Sequence, residues 1–364
     1  MTDLFTPTAT VADDTAPTGY GSCEDRPAPP DPARILDLSW GIARTGTLVA
    51  ALELDVFSLI AAGTRTVPAL AESTGTNERA MGLLTGALNA LGLLVRQRDG
   101  GYRLPADSAA FLVRGAPNYL GDLRHMHRVI NFPLWPRLTE AVRGDRPFDD
   151  LFGDDGSRVW EQVTPYLDQL GGAAAPWLAQ ALREAAPGLP AEPSLLDAGC
   201  GSGGYTRALA RLLNARAVGL DRPDVAKLAA EQTEAAGLSE KVTFRGGELR
   251  ELDWGTSYDL ALLSNLLHGY SENEALSLLR RARAALRPGG TVAVFEFVPD
   301  VERPMDNPVA GFFSLQMLLT SEGSGYALDE YQGWLREAGF TKVAARRCPA
   351  GPQTLITAVV PETA

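Results

Sequence analysis

Cysteine is scarce in this 364-residue chain: Cys23, Cys200 and Cys348 lie far apart, and none forms a C-x-x-C pair. That excludes a disulfide framework and the common zinc spacings, and it points to a reducing, cytoplasmic setting. Histidine is equally rare, with only His125, His127 and His268. The first two are two residues apart, so on a helix they point in different directions and cannot share one metal ion. No metal site is expected. Positive charge is also in deficit, with 33 Lys and Arg against 45 Asp and Glu for a net charge of −12. Nucleic-acid backbones call for clustered cations, which excludes a general polyanion binder. No apolar run approaches about 20 residues, so no membrane span is expected. The N-terminus lacks the basic start and apolar core of a secretion signal.

Hydrophobic residues make up 45% of the chain, and at this length they are enough for two domains. Residues 1–32 are rich in Thr, Pro, Asp and Ala and read as a disordered leader. From Ala33 to Ala62 apolar residues recur at helical spacing. A short second helix starts near Thr66, which is placed to cap it ahead of Pro68. Asn77 to Leu91 reads as a third helix, capped by Asn77 and closed by Gly92. Residues 94–98 and 102–104, joined by Asp99-Gly100-Gly101, read as a hairpin. Three helices and a hairpin over 33–110 suggest a winged helix. DNA binding does not follow, because six arginines balance six acids between Leu36 and Leu104. The third helix carries only Glu78 and Arg79 as charges, whereas a groove-reading helix needs several polar side chains. Burial against a second copy of the chain suits it better. Residues 111–186 read as a helical connector whose aromatics, from Tyr119 through Trp160 to Trp177, could wall a pocket for a flat substrate.

Residues 187–364 alternate strand and helix, the signature of a parallel sheet. The expected strands are 194–197, 217–220, 242–244, 258–264 and 291–297. A helix over 272–286 should stop at Pro288-Gly289-Gly290, and 343–347 with 354–360 should close the sheet as an antiparallel hairpin. The first strand runs into Asp197-Ala198-Gly199-Cys200-Gly201-Ser202-Gly203-Gly204, a turn before a helix. Two patterns fit. Gly199, Gly201 and Gly204 satisfy the dinucleotide spacing G-x-G-x-x-G. Gly199, Gly201 and Gly203 satisfy D-x-G-x-G-x-G.

Further residues favour the second pattern: Asp221 in L-D-R-P, Gly246-Gly247-Glu248-Leu249, Leu266-Leu267-His268 and L-R-P-G-G before the fifth strand. Together they resemble the class I S-adenosylmethionine (SAM)-dependent small-molecule O-methyltransferases, a likeness spanning Ile35 to Val360. The resemblance implies an α/β, Rossmann-like methyltransferase domain preceded by a mostly helical winged-helix dimerisation domain. It further implies a homodimer, SAM as methyl donor with S-adenosylhomocysteine as product, and a small aromatic or polyketide-like acceptor. Asp197, Gly199, Gly201, Asp221, Glu248, Leu249 and Ser264 would hold the donor. His268 would be the general base and Glu296 the acid that orients it. Departures exist: Glu248 replaces the usual Asp, Ser264 replaces a frequent Lys, and His268-Gly269-Tyr270 replaces His-Asp-Trp. Gly325 stands where a second orienting acid is expected, with Glu322 the nearest carboxylate. Relatives that methylate carbon or nitrogen, or no longer methylate, form the alternative within enzymes. A winged-helix regulator sensing SAM is the alternative of another class.

Overall fold

A computed structural model of the chain describes residues 31–152, 157–300, 308–349 and 351–362. The expected leader lies outside them except for its last two residues, as do Cys23 and the Trp160 side chain. The chain divides into two compact units, Met1–Arg44 and Thr45–Ala364.

In the first unit the Ala33–Ser39 helix exposes Ile35, Leu36 and Leu38, and an ion pair joins Arg44 to Asp37. Residues 33–53 are together long and apolar enough to cross a membrane, on length and composition alone. The expectation of no such stretch is corrected to that extent, although the helix breaks at Trp40 between Ala33–Ser39 and Gly41–Glu53.

The second unit opens with the helices Val56–Ala61, Val67–Thr74 and Glu78–Ala90 and the hairpin of β1 (Val95–Arg96) and β2 (Tyr102–Arg103). Phe57, Leu70, Met81, Leu88 and Leu94 form their core. Asn77 caps the third helix by accepting from the Ala80 N–H at 3.1 Å. Thr66 makes no such bond. Pro68 at the second helical position removes one of the two N–H groups a cap could satisfy, and the Ala69 N–H at the third is not engaged by Thr66.

Beyond the connector, β3 (Ser194–Ala198), β4 (Arg216–Asp221), β5 (Val242–Gly246), β6 (Tyr258–Ser264), β7 (Leu286–Phe297), β8 (Thr341–Arg347) and β9 (Gln353–Val359) form one seven-stranded sheet. Its order is β5-β4-β3-β6-β7-β9-β8. The first five strands are parallel and the last two antiparallel, a Rossmann-like sheet closed by a hairpin. Alternate residues of β3 enter different cores: Leu196 packs with Leu279 and Tyr331, and Leu195 with Leu182 and Leu209. A parallel strand buried on both faces shows this continuous apolar run. The strand order reverses at β3, and ligand crevices open beyond the carboxyl ends of strands at such a point.

Two expectations need correction. The helix expected over 272–286 ends at Ala285, and β7 begins at Leu286 rather than Thr291. Its pairing with β6 jumps from Tyr258↔Leu286 to Leu260↔Thr291, so Arg287 to Gly290 form a bulge inside the strand. The Arg287 guanidinium anchors that bulge on Asp259 at 2.7 Å. The helix Pro308–Thr320 was not foreseen. It is apolar on almost every face and therefore shows no amphipathic period.

Asp259 also accepts from the Ser194 N–H at 2.7 Å and the Ser194 hydroxyl at 2.8 Å. Burial alone would raise its pKa, but the Ser194 N–H, the Arg287 guanidinium and the Ser194 hydroxyl outweigh burial and hold it below the ordinary carboxylate value. Breaking a buried pair costs ~3–5 kcal/mol. Arg287 is partly exposed and can be solvated again, so we expect Asp259→Ala to cost about 2 kcal/mol in denaturant unfolding. The depressed folded pKa means that this stability is present above the unfolded value of 3.8 and is lost as pH falls through the folded one. The wild type should therefore lose its advantage over the variant in acid.

Candidate active site

Three glycines bend the chain out of β3. Gly199, Gly201 and Gly203 have φ of +71°, +55° and +81°, a region that side chains strain to enter. Gly204 has no such angle and begins the Gly204–Leu213 helix, with Gly203 as its cap. The backbone thus follows the D-x-G-x-G-x-G pattern rather than the dinucleotide spacing. Gly199 and Cys200 donate to the Leu220 carbonyl at 2.8 and 3.1 Å. Gly201 N–H donates to Asp221 Oδ2 at 2.8 Å. The loop is therefore bound to the end of β4.

Asp221 also accepts from the Arg222 N–H at 2.8 Å through Oδ1. Each of its oxygens keeps a second acceptor position for a ligand hydroxyl. Burial raises the pKa of this carboxyl. Asp197, by contrast, lies under the loop, 1% exposed, where the Thr206 hydroxyl donates to it at 2.5 Å. Burial pushes it up to about 7, against the opposing effect of Thr206. Its geometry ties strand to helix beneath the cradle rather than facing outward.

Glu248 follows β5, and Arg250 Nε donates to it at 3.1 Å. The Leu249 side chain is buried in the core, and its carbonyl accepts from Trp254 Nε1 at 2.9 Å. Ser264 ends β6, nearly buried, and accepts from Asn265 Nδ2 at 3.2 Å. Sequence reasoning noted Tyr270 only as a departure. Its hydroxyl is pushed up to about 12, first by burial and then by the charges of Glu248 and Asp221.

The turn after β6 joins this loop to a second cluster. Asn265 adopts a left-handed φ of +49°, and Leu266 follows over Gly199, where an added Cβ would meet Leu266 Cδ1 at 2.5 Å. Glu296, fully buried near the end of β7, binds that turn from below. Its Oε1 accepts from the N–H groups of Leu266 and Leu267 at 2.8 and 2.7 Å, and its Oε2 meets His268 Nδ1 at 2.5 Å. A carboxylate only accepts, so Nδ1 carries the proton and Nε2 presents a lone pair. Phe313 stands edge-on to the imidazole at 4.6 Å and stacks on Phe297 at 4.1 Å.

The loop after the Pro308–Thr320 helix presses on this turn. A Cβ at Gly323 would lie 1.9 Å from the His268 carbonyl oxygen, and one at Gly325 would lie 2.2 Å from Ser314 Oγ. A side chain at 325 would have to displace the Ser314 hydroxyl. Glu322 instead pairs with Arg146 at 3.0 Å. Among the described residues, Glu296 is the acid that meets the imidazole. Among the described residues no group of three or more His, Cys, Asp or Glu could hold a metal ion.

The glycines differ in what a methyl group would meet. At Gly201 only the backbone angle opposes it, so Gly201→Ala should cost ~1–2 kcal/mol in denaturant unfolding. Gly199→Ala should cost more, because Leu266 must also move.

Residues 135–341 match the model of the O-methyltransferase domain, and residues 36–114 match the O-methyltransferase dimerisation domain. Over 321 residues the chain is 33% identical to a 3-hydroxy-5-methyl-1-naphthoate 3-O-methyltransferase of Streptomyces sahachiroi, covering 87% of this chain and 91% of that one. It is 30% identical over 331 residues to TcmO of Streptomyces glaucescens, a tetracenomycin polyketide synthesis 8-O-methyl transferase, covering 89% and 95%. The structure of PigF with S-adenosylhomocysteine superposes with a TM-score of 0.79 at 27% identity, covering 90% of this chain and 99% of that one. The glycine cradle, the acid beyond β4 and the strand order agree with these matches, and the chain belongs to the SAM-dependent O-methyltransferase family.

Proposed function

We propose that the chain methylates a phenolic hydroxyl of a small aromatic or polyketide-like metabolite, with His268 as general base. The observation that carries this reading is the Nδ1–Glu296 contact, which leaves Nε2 as the basic atom. Bound at the cradle, SAM supplies an electrophilic methyl group on sulfur. Gly199 and Gly201 let the backbone approach its methionine portion. Asp221 would accept from the ribose hydroxyls, and Glu248 and Leu249 would border the adenine. Asp197 shapes the loop from beneath, and Ser264 closes the floor at the end of β6.

A phenol with pKa near ~10 is mostly protonated at neutral pH and a poor nucleophile. His268 Nε2 would take that proton from the acceptor hydroxyl, and the Glu296 carboxylate would stabilise the resulting imidazolium. Phe313 and Phe297 keep the ring upright and exclude water from one side. Base catalysis of this kind contributes typically ~10²–10⁴-fold.

We further propose the division into a 33–110 dimerisation domain, a 111–186 connector bordering the acceptor pocket and a 187–364 SAM-binding domain. The homodimer and cytoplasmic location belong to the same reading. The exposed side chains of Ile35, Leu38, Trp40 and Ile42 would be covered by a second copy.

His268→Ala should lower kcat at least ~10²-fold with 2-naphthol or 3-hydroxy-1-naphthoate as acceptor, while calorimetry shows SAM affinity unchanged. Glu296→Gln should cost a similar factor, since its amide nitrogen donates to Nδ1 and moves the ring proton to Nε2. Near-normal turnover in both variants would leave positioning alone to account for the rate. Asp221→Ala should weaken SAM binding at least ~10-fold by calorimetry, because two charge-assisted hydrogen bonds disappear.

A further inference from the structure

The connector contains one irregular helical segment. Leu123–Met126 is α-helical, His127–Asn131 is a π-turn, Phe132–Leu134 returns to α, and Trp135–Arg137 tightens to 3₁₀. Such wide turns are rare inside helices and recur at functional sites. Here the wide turn brings two polar side chains together, and Asn131 Nδ2 lies 3.0 Å from His127 Nδ1. An amide nitrogen only donates, so the placement of that nitrogen assigns Nδ1 as acceptor and puts the His127 proton on Nε2. Burial lowers the pKa of His127, and no charged group contributes to the shift. The half-buried ring, with Nδ1 facing the Asn131 amide, thus turns Nε2 to the donor role. Among the described residues, Nε2 has no hydrogen-bond partner.

The same face of the segment leads to the candidate active site. Trp135 lies four residues beyond Asn131, and its indole N–H donates to Gln316 Oε1 at 2.7 Å. Gln316 lies three residues after Phe313 on the Pro308–Thr320 helix, so the two share a helix face. Phe313 is the ring against His268. Leu319, a further turn along, packs with Ile130 and Leu134. The His127–Asn131–Trp135 strip is thus fastened to the helix that walls His268, and the Gln316 amide nitrogen remains a donor beside it.

We propose that His127 determines acceptor specificity, its Nε2–H binding a carboxylate or carbonyl oxygen on the aromatic acceptor remote from the hydroxyl that faces His268. This rests on the acceptor site proposed above. Asn131 is its positioning residue, since it sets which ring nitrogen donates.

Binding to the protein loaded with S-adenosylhomocysteine tests this without relying on turnover. The probes are 3-hydroxy-1-naphthoate and 2-naphthol, which differ only in the carboxylate. By calorimetry the wild type should bind the carboxylate about tenfold more tightly. His127→Phe should bring the ratio near one with little change for 2-naphthol, and His127→Gln, which keeps an N–H donor, should retain several-fold preference. Unchanged affinity for S-adenosylhomocysteine reports a folded variant, and His127→Leu serves where phenylalanine is not accommodated. A wild type that binds both probes alike, or neither, overturns the proposal. So does a His127→Phe variant that weakens both equally or keeps the preference. Should the preference behave as expected while His268→Ala turns over normally, the base reading falls and this one stands.

Discussion

One buried carboxylate holds the candidate site together. Glu296 has no exposed surface, and an uncompensated charge in such a place would cost several kcal/mol. Three donors compensate it: the N–H groups of Leu266 and Leu267, and Nδ1 of His268. They are consecutive in the chain, so a single side chain from β7 fixes the whole turn after β6. The turn in turn closes the glycine loop, because Leu266 lies over Gly199. The imidazole and the donor cradle are therefore both referred to the ends of three adjacent parallel strands, β3, β6 and β7. A rigid sheet sets the distance between them, which suits a displacement that depends on alignment.

The opposite wall is built differently. It comes from the Pro308–Thr320 helix and from the connector, which lie far apart in sequence. Trp135 and Gln316 join them through one hydrogen bond, and Ile130, Leu134 and Leu319 through apolar packing. Aromatic rings dominate this side, with Phe297 and Phe313 stacked beside the imidazole. The sheet side is thus rich in backbone donors and acids, and the helical side is flat and apolar. That division suits a polar sulfonium donor on one side and a planar acceptor on the other.

Much of the donor side was legible in the residues. Three glycines in D-x-G-x-G-x-G, an acid ending the next strand and continuous apolar runs all leave local marks, because each reflects a backbone angle or two-faced burial. Asn77 was legible as a cap for the same reason. Thr66 misled because Pro68 removes one of the two donors it could satisfy. The Arg287–Gly290 bulge was read as a turn between helix and strand, since proline and glycines mark both alike. Only the packing of Ser314 against Gly325 shows that a second acid there would have to displace the Ser314 hydroxyl.

The residues themselves determined the order of strands and helices along the chain and the cradle at Gly199, whereas the pairing of His268 with Glu296 came from the family resemblance. The order and the cradle follow from periods and backbone restrictions that act within about ten residues of chain. Tertiary structure alone decided that Glu296 binds three successive groups, that burial raises the Tyr270 hydroxyl, and that a helix apolar on nearly every face carries the ring against His268. Those outcomes depend on contacts across tens to hundreds of residues, and no local period encodes which distant side chains will meet.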